Sequence, residues 1–123
     1  MEQFSPLSQQ ELPIEIIQGQ TFTLPITYYD DSGAVINLTS YTAKMQIRVT
    51  AEAANPAILE LSTVNGLIVI TGVQGFIQCT IPAGTAAALT PGLYVYDLFI
   101  TSPGGVAERL LFGDVKVTRR VTQ

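Results

Sequence analysis

The chain has 123 residues, 47% of them hydrophobic and only 13% charged, with a formal net charge of -4. That length suits one domain able to bury about two thirds of its unfolded surface in a single core. The acidic balance argues against phosphate-driven nucleic-acid binding, and the absence of histidine removes the commonest metal ligand and general base near neutral pH.

In chain order, "MEQFSPLSQQELP" carries acidic residues and prolines where a secretory signal would carry a basic end and an apolar run, so no signal peptide is expected. Residues 1 to 13 read as an extended arm and residues 14 to 123 as one domain. Within the arm Phe4, Leu7 and Leu12 are too sparse to build a core, and they read as anchors laid across a neighbouring protein. In "TFTLPITYY" the set Phe22, Leu24, Ile26, Tyr28 alternates with Thr21, Thr23, Pro25, Thr27, the period of a half-buried strand. Pro25 cannot donate to a ladder, so an edge position or a bulge is expected there.

"YYDDSGAV" holds the only adjacent pair of carboxylates. Asp30 and Ser32 suit a turn that bonds its own backbone, with Gly33 in the left-handed position, and the segment reads as a hairpin connection. It lacks the oxygen-ligand spacing of a calcium loop. A second alternating strand follows in "YTAKMQIRV". Further strands are predicted over Ile58 to Ser62, Leu67 to Thr71, Phe76 to Ile81, Leu93 to Thr101, Val106 to Phe112 and Asp114 to Thr118, separated by Gly- and Pro-bearing turns. "AGTAAALTPG" is the one helical candidate, with Thr85 as its cap. This pattern indicates an all-β antiparallel sandwich or barrel with at most one short helical turn.

Chemistry is sparse. No charged residue occurs between Glu60 and Asp97, yet glycines, prolines and Asn65 interrupt that stretch, so it is no membrane span. It predicts a neutral surface that is cheap to desolvate. Cys79 is the single cysteine, in phase with the core residues Ile77 and Ile81, and reads as a small apolar residue. Asn37-Leu38-Thr39 matches a glycosylation sequon but has no export signal beside it. No catalytic, cofactor-binding or metal site emerges, and none is expected. Asp97 lies mid-strand in "LYVYDLFI", where Asp is disfavoured, so a cross-strand partner is expected in Arg48 or Arg109. In "LTPGLYVYDL" Tyr94 is placed as a tyrosine corner, its phenol tied to upstream backbone.

Three segments, "GQTFTLPITYYDDSGAVINLTSYTAKMQIR", "LTPGLYVYDLFI" and "GGVAERLLFGDVKVTRRVT", together resemble small bacteriophage and prophage structural proteins. They are similar in layout to the N-terminal domain of baseplate upper proteins and to other tail or fibre modules with an immunoglobulin-like sandwich. With Tyr94, the resemblance implies an all-β, immunoglobulin-like antiparallel sandwich of about seven to nine strands here. The resemblance implies a virion component, assembled in the host cytoplasm, which binds other virion proteins and copies of itself. It transfers no active site. A head decoration protein would share these features. A carbohydrate- or receptor-binding module is the alternative of another class; it needs exposed aromatics, for which Tyr28, Tyr29 and Phe99 are the candidates.

Overall fold

The computed structural model describes residues 2–4 (backbone only), 10–30, 32–50 and 57–122. Leu7, Asp31 and the Phe4 side chain lie outside the described residues. The strands are β1 (Glu2–Phe4), β2 (Gln10–Glu11), β3 (Ile14–Ile17), β4 (Phe22–Tyr28), β5 (Thr42–Arg48), β6 (Leu59–Ser62), β7 (Ile68–Thr71), β8 (Phe76–Ile81), β9 (Gly92–Thr101) and β10 (Ala107–Thr118). A 3-10 turn, Gly72–Gln74, joins β7 to β8, and the five-residue helix α1 (Ala83–Ala87) leads from β8 toward β9.

Two sheets face each other. One has the order β1-β4-β8-β7; the other runs β2-β10-β9-β5-β6, with β3 also pairing β10. β2 and β3 keep one register against β10, Glu11 opposite Phe112 and Ile14 opposite Val115. They are therefore a single strand interrupted at Leu12-Pro13, and counted that way the sandwich has nine strands among the described residues.

Alternation explains which side chains meet. Leu24, Ile26 and Tyr28 point inward from β4, Ile77, Cys79 and Ile81 from β8, Ala43, Met45 and Ile47 from β5, and Tyr96, Leu98 and Ile100 from β9, all of them buried. Each large aliphatic side chain taken fully out of water contributes roughly 1.5–3 kcal/mol, so this shared layer carries the fold. The sandwich is therefore assembled from the period-two signal in the sequence.

Several expectations change. The segment after β4 is not a β4–β5 hairpin, since β4 and β5 lie in different sheets. Instead it folds on itself through a Tyr29–Val35 bridge before crossing over. Thr85 does not cap α1; Pro82 occupies that position with no side-chain cap, and Thr85 lies inside the helix. The two strands expected on either side of Gly113 are one, β10, which passes through Gly113 opposite Tyr96. Pro25 pairs with Gln78, one position before β1 begins opposite Ile26. The Tyr28 amide points to Gly75 on the β8 side, so by alternation the Pro25 nitrogen points away from β8, where its missing donor breaks no β8 ladder bond.

The expected boundary at residue 13 runs through a well-anchored point. The Leu12 amide donates to Phe112 O at 2.8 Å. The Leu12 carbonyl accepts the buried Tyr96 phenol at 2.7 Å. Leu12 itself packs on the core. This close approach requires glycine at 113, because a Cβ there would sit 2.8 Å from the Leu12 oxygen. Leu12 is thus part of the sandwich rather than of a free arm, and β1 pairs in parallel with the chain's own β4.

Candidate functional site

The two outer faces differ in chemistry. On the sheet of β4, β8 and β7 the outward residues form cross-strand rows: Thr27–Phe76–Thr71, Pro25–Gln78–Val69 and Thr23–Thr80. None is charged. β7 is the last strand of this sheet among the described residues. Val69 on it is 59% exposed, and Val64 and Val73 in the flanking turns are more exposed still. An edge strand without charge or proline is open to backbone pairing with another chain.

The opposite face gathers charged residues. One row runs Glu11–Phe112–Asp97–Gln46–Glu60 across five strands; a second holds Arg109, Phe99 and Lys44, and a third Asp114, Val95 and Arg48. The register shift between Arg109 and Leu111 is what builds this arrangement. Leu110 and Leu111 both turn inward, which leaves Arg109 and Phe112 on the same outer face, as a β-bulge does. The Arg109 guanidinium then lies 4.2 Å over the Phe112 ring, a cation–π contact. Arg48 donates from Nε and Nη2 to Gln46 Oε1 at 3.2 and 2.7 Å, and Gln46 Nε2 donates to Glu60 Oε1 at 2.7 Å. Around these side chains is a groove of about 530 Å³.

Asp97 occupies the middle of this face, half-buried. Burial raises its carboxyl above the usual range, against the opposing pull of Arg109 and then Arg48. Directly across the strands Asp97 faces Gln46 and Phe112; Arg48 and Arg109, its expected partners, line the same groove, and desolvation outweighs their attraction.

The remaining predicted residues are dispersed. Tyr94 lies at the start of β9 and its hydroxyl donates to Thr90 O at 2.6 Å, an i to i−4 tie of phenol to upstream backbone. Tyr28 is buried, donating to Glu108 Oε2 at 3.1 Å; burial and then Glu108 push its phenol up. Tyr29 is half-buried and Phe99 is 38% exposed, on the groove face. Of the aromatics proposed for a binding module, only Phe99 reaches the groove.

Asp30 Oδ1 accepts from the Ser32 amide at 3.0 Å, the Ser32 hydroxyl at 2.7 Å and the Ala34 amide at 3.0 Å. These bonds, the Ser32 hydroxyl first, hold its carboxyl below the ordinary range. Asn37 similarly accepts from the Thr39 amide at 2.9 Å, so the sequon asparagine is engaged in a turn. Cys79 is fully buried and its thiol is pushed up to about 12. Among the described residues no group of three or more Cys, Asp or Glu is placed to hold a metal ion, and no helix is long and apolar enough to cross a membrane.

Phe112, Lys44 and Gln46 do not stand out in the sequence as members of a site. Lys44 and Gln46 share the alternation of Arg48, a usable signal. Phe112 reaches the face only through the bulge, which alternation cannot reveal.

No known family profile and no curated protein matches this sequence. Among solved structures the chain is similar to the N-terminal domain of phage TP901-1 ORF48. The TM-score is 0.57 at 9% identity, and the match covers 94% of each chain. At that identity the likeness is one of fold.

Proposed function

We propose that this chain is a structural subunit of a phage virion, a tail, baseplate or fibre-attachment component that acts through protein–protein contacts and catalyses no reaction. The observation that carries the reading is the end-to-end likeness in fold to a phage protein domain, joined to the three sequence segments that resemble tail and baseplate modules. The strand order supports an immunoglobulin-like sandwich: β4-β8-β7 corresponds to B-E-D and β10-β9-β5-β6 to G-F-C-C′, with β1 departing from strand A by pairing β4 in parallel.

The charge-free outer face of β4, β8 and β7 suits docking onto other virion proteins and copies of this chain. Uncharged Thr, Gln and Val surface costs little to desolvate, and the adjacent β7 edge offers backbone pairing. Of the residues read as arm anchors, Leu12 is fixed to the sandwich and Phe4 belongs to β1, which pairs with the chain's own β4, so in this reading the contact with a neighbour rests on the neutral face and the β7 edge.

Particles purified from an induced culture should contain the chain at a fixed stoichiometry by quantitative mass spectrometry, with a sandwich-shaped density at the tail end in electron micrographs. Val69→Lys, on the exposed β7 edge, should lower its incorporation. Particles that lack the protein would overturn the reading, and density on the head would move the role to decoration.

A further inference from the structure

We propose that the groove on the β10-β9-β5 face is a binding site for a neutral, polyhydroxylated ligand, a glycan of uncharged hexoses. This goes beyond the assembly role and does not depend on it, since it uses the other face of the sandwich.

The ligand class follows from what lines the groove. Its charged residues are Lys44, Arg48 and Arg109 against Glu11, Asp97 and Asp114, which balance to zero. A net-neutral lining gives no electrostatic reason to select an anion or a cation. It does interleave donors with acceptors: Arg48 and Lys44 can only donate, Asp97 and Asp114 as carboxylates can only accept, and Gln46 does both. Hydroxyl groups each donate and accept, so a polyol can use both kinds of partner where Asp97 faces Gln46 across β9 and β5 and Lys44 and Arg48 flank Gln46 on the same face of β5.

Beside these polar groups Phe99 and Val95 supply an apolar wall, against which the C–H face of a sugar ring can stack. Phe99, the neighbour of Arg109 and Lys44 in its row, is 38% exposed. The polar side chains are also preorganised: Arg48 is fixed to Gln46, Gln46 to Glu60, and Arg109 over Phe112. A volume of about 530 Å³ lies within the roughly 300–1,000 Å³ typical of small-molecule sites.

The test is a titration of isotope-labelled full chain with maltose, cellobiose and lactose, followed by two-dimensional amide NMR. Sugar is raised to roughly 20 mM, enough to fill most of a site with a millimolar Kd. At least one sugar should move amides within 44–48, 95–99 and 109–114 along a common binding curve. Phe99→Ala should weaken that curve about three- to tenfold, the worth of one ring contact, and Asp97→Asn should weaken it as well. Lys44→Ala, at an exposed site, keeps the test decisive should either variant fail to fold. Three results would overturn the proposal: no amide moves with any of the sugars, the movements fall outside the groove, or glucuronate or glucosamine binds more tightly than the neutral sugars.

Discussion

Gly113→Ala probes the most constrained contact in the sandwich. A methyl group at this position meets three backbone atoms at once, Leu12 O at 2.8 Å, Leu12 C at 3.0 Å and Pro13 N at 3.3 Å. None belongs to a flexible side chain that could swing aside, and the proline ring stiffens the segment further. Relief must come from moving the Leu12 carbonyl, which accepts the buried Tyr96 phenol. Overpacking of this kind costs about 1–3 kcal/mol, and a weakened buried hydrogen bond adds about 1 kcal/mol. The expected loss is about 2–4 kcal/mol, or roughly 8–16 °C in Tm for a domain of this size. Circular dichroism melts and urea titration with an unchanged m-value would measure it. Gly84→Ala is the matched control: nothing lies within 4 Å of its added methyl, and alanine in a helix should stabilise by about 0.5–1 kcal/mol. A Gly113→Ala variant melting within about 2 °C of the parent, under half of 1 kcal/mol at that scale, would refute the reasoning.

Tyr96→Phe removes the donor to the Leu12 carbonyl while keeping the ring, so a loss of about 1–3 kcal/mol is expected in urea titration. Asp97 gives a pH signature. Its carboxyl is raised in the fold, so the native state holds the proton more tightly than the unfolded chain, and stability falls as pH climbs from the ordinary carboxylate value through the raised one. Asp97→Asn should therefore gain on the parent across that window in melts taken from acid to neutral pH; a constant difference would contradict it. Asp30 has the opposite sign: its lowered carboxyl contributes above the unfolded value and loses that contribution as pH falls through the folded one, so the penalty of Asp30→Ala should shrink in acid. Cys79, buried with its thiol raised to about 12, should resist a disulfide reagent at pH 8 in the native state and react at once in denaturant.

Much of this architecture is legible in the period-two alternation. Alternation says which residues of a strand share a face, and so Leu24, Ile26 and Tyr28, or Met45 and Ile47, can be assigned to the core from the pattern alone. It does not say which strand lies beside which. The segment around Asp30 and Gly33 has the chemistry of a tight turn, and it makes one, but the flanking strands join different sheets because long-range pairing decides that. Gly113 has the look of a break between strands; its real role, admitting the Leu12 backbone, depends on a residue about a hundred positions away. Leu110 and Leu111 defeat parity outright, since a bulge turns two successive side chains inward. The groove escapes sequence reasoning for the same cause: Asp97, Arg48 and Arg109 can be suspected as a set, but Phe112 joins them only once the bulge is known.

The distribution of charge follows from the order in which strands are dealt to the two sheets. β4, β7 and β8 contain no charged residue, whereas β5, β6, β9 and β10 carry Lys44, Arg48, Glu60, Asp97, Glu108, Arg109, Asp114 and Lys116. The long uncharged stretch of sequence includes both β7 and β8, which pair with each other, and β4 lies beside β8 with Thr23, Pro25 and Thr27 outward. A gap in a linear sequence thus becomes a continuous face in space. Were the same residues scattered over both sheets, each face would bury some charge on docking and incur a desolvation cost of several kcal/mol per unpaired ion. Segregation leaves one face cheap to cover and the other able to place donors and acceptors at fixed spacings. Putting a single lysine at Val69, outward-facing on β7, should leave folding intact and selectively impair whatever contact the neutral face makes.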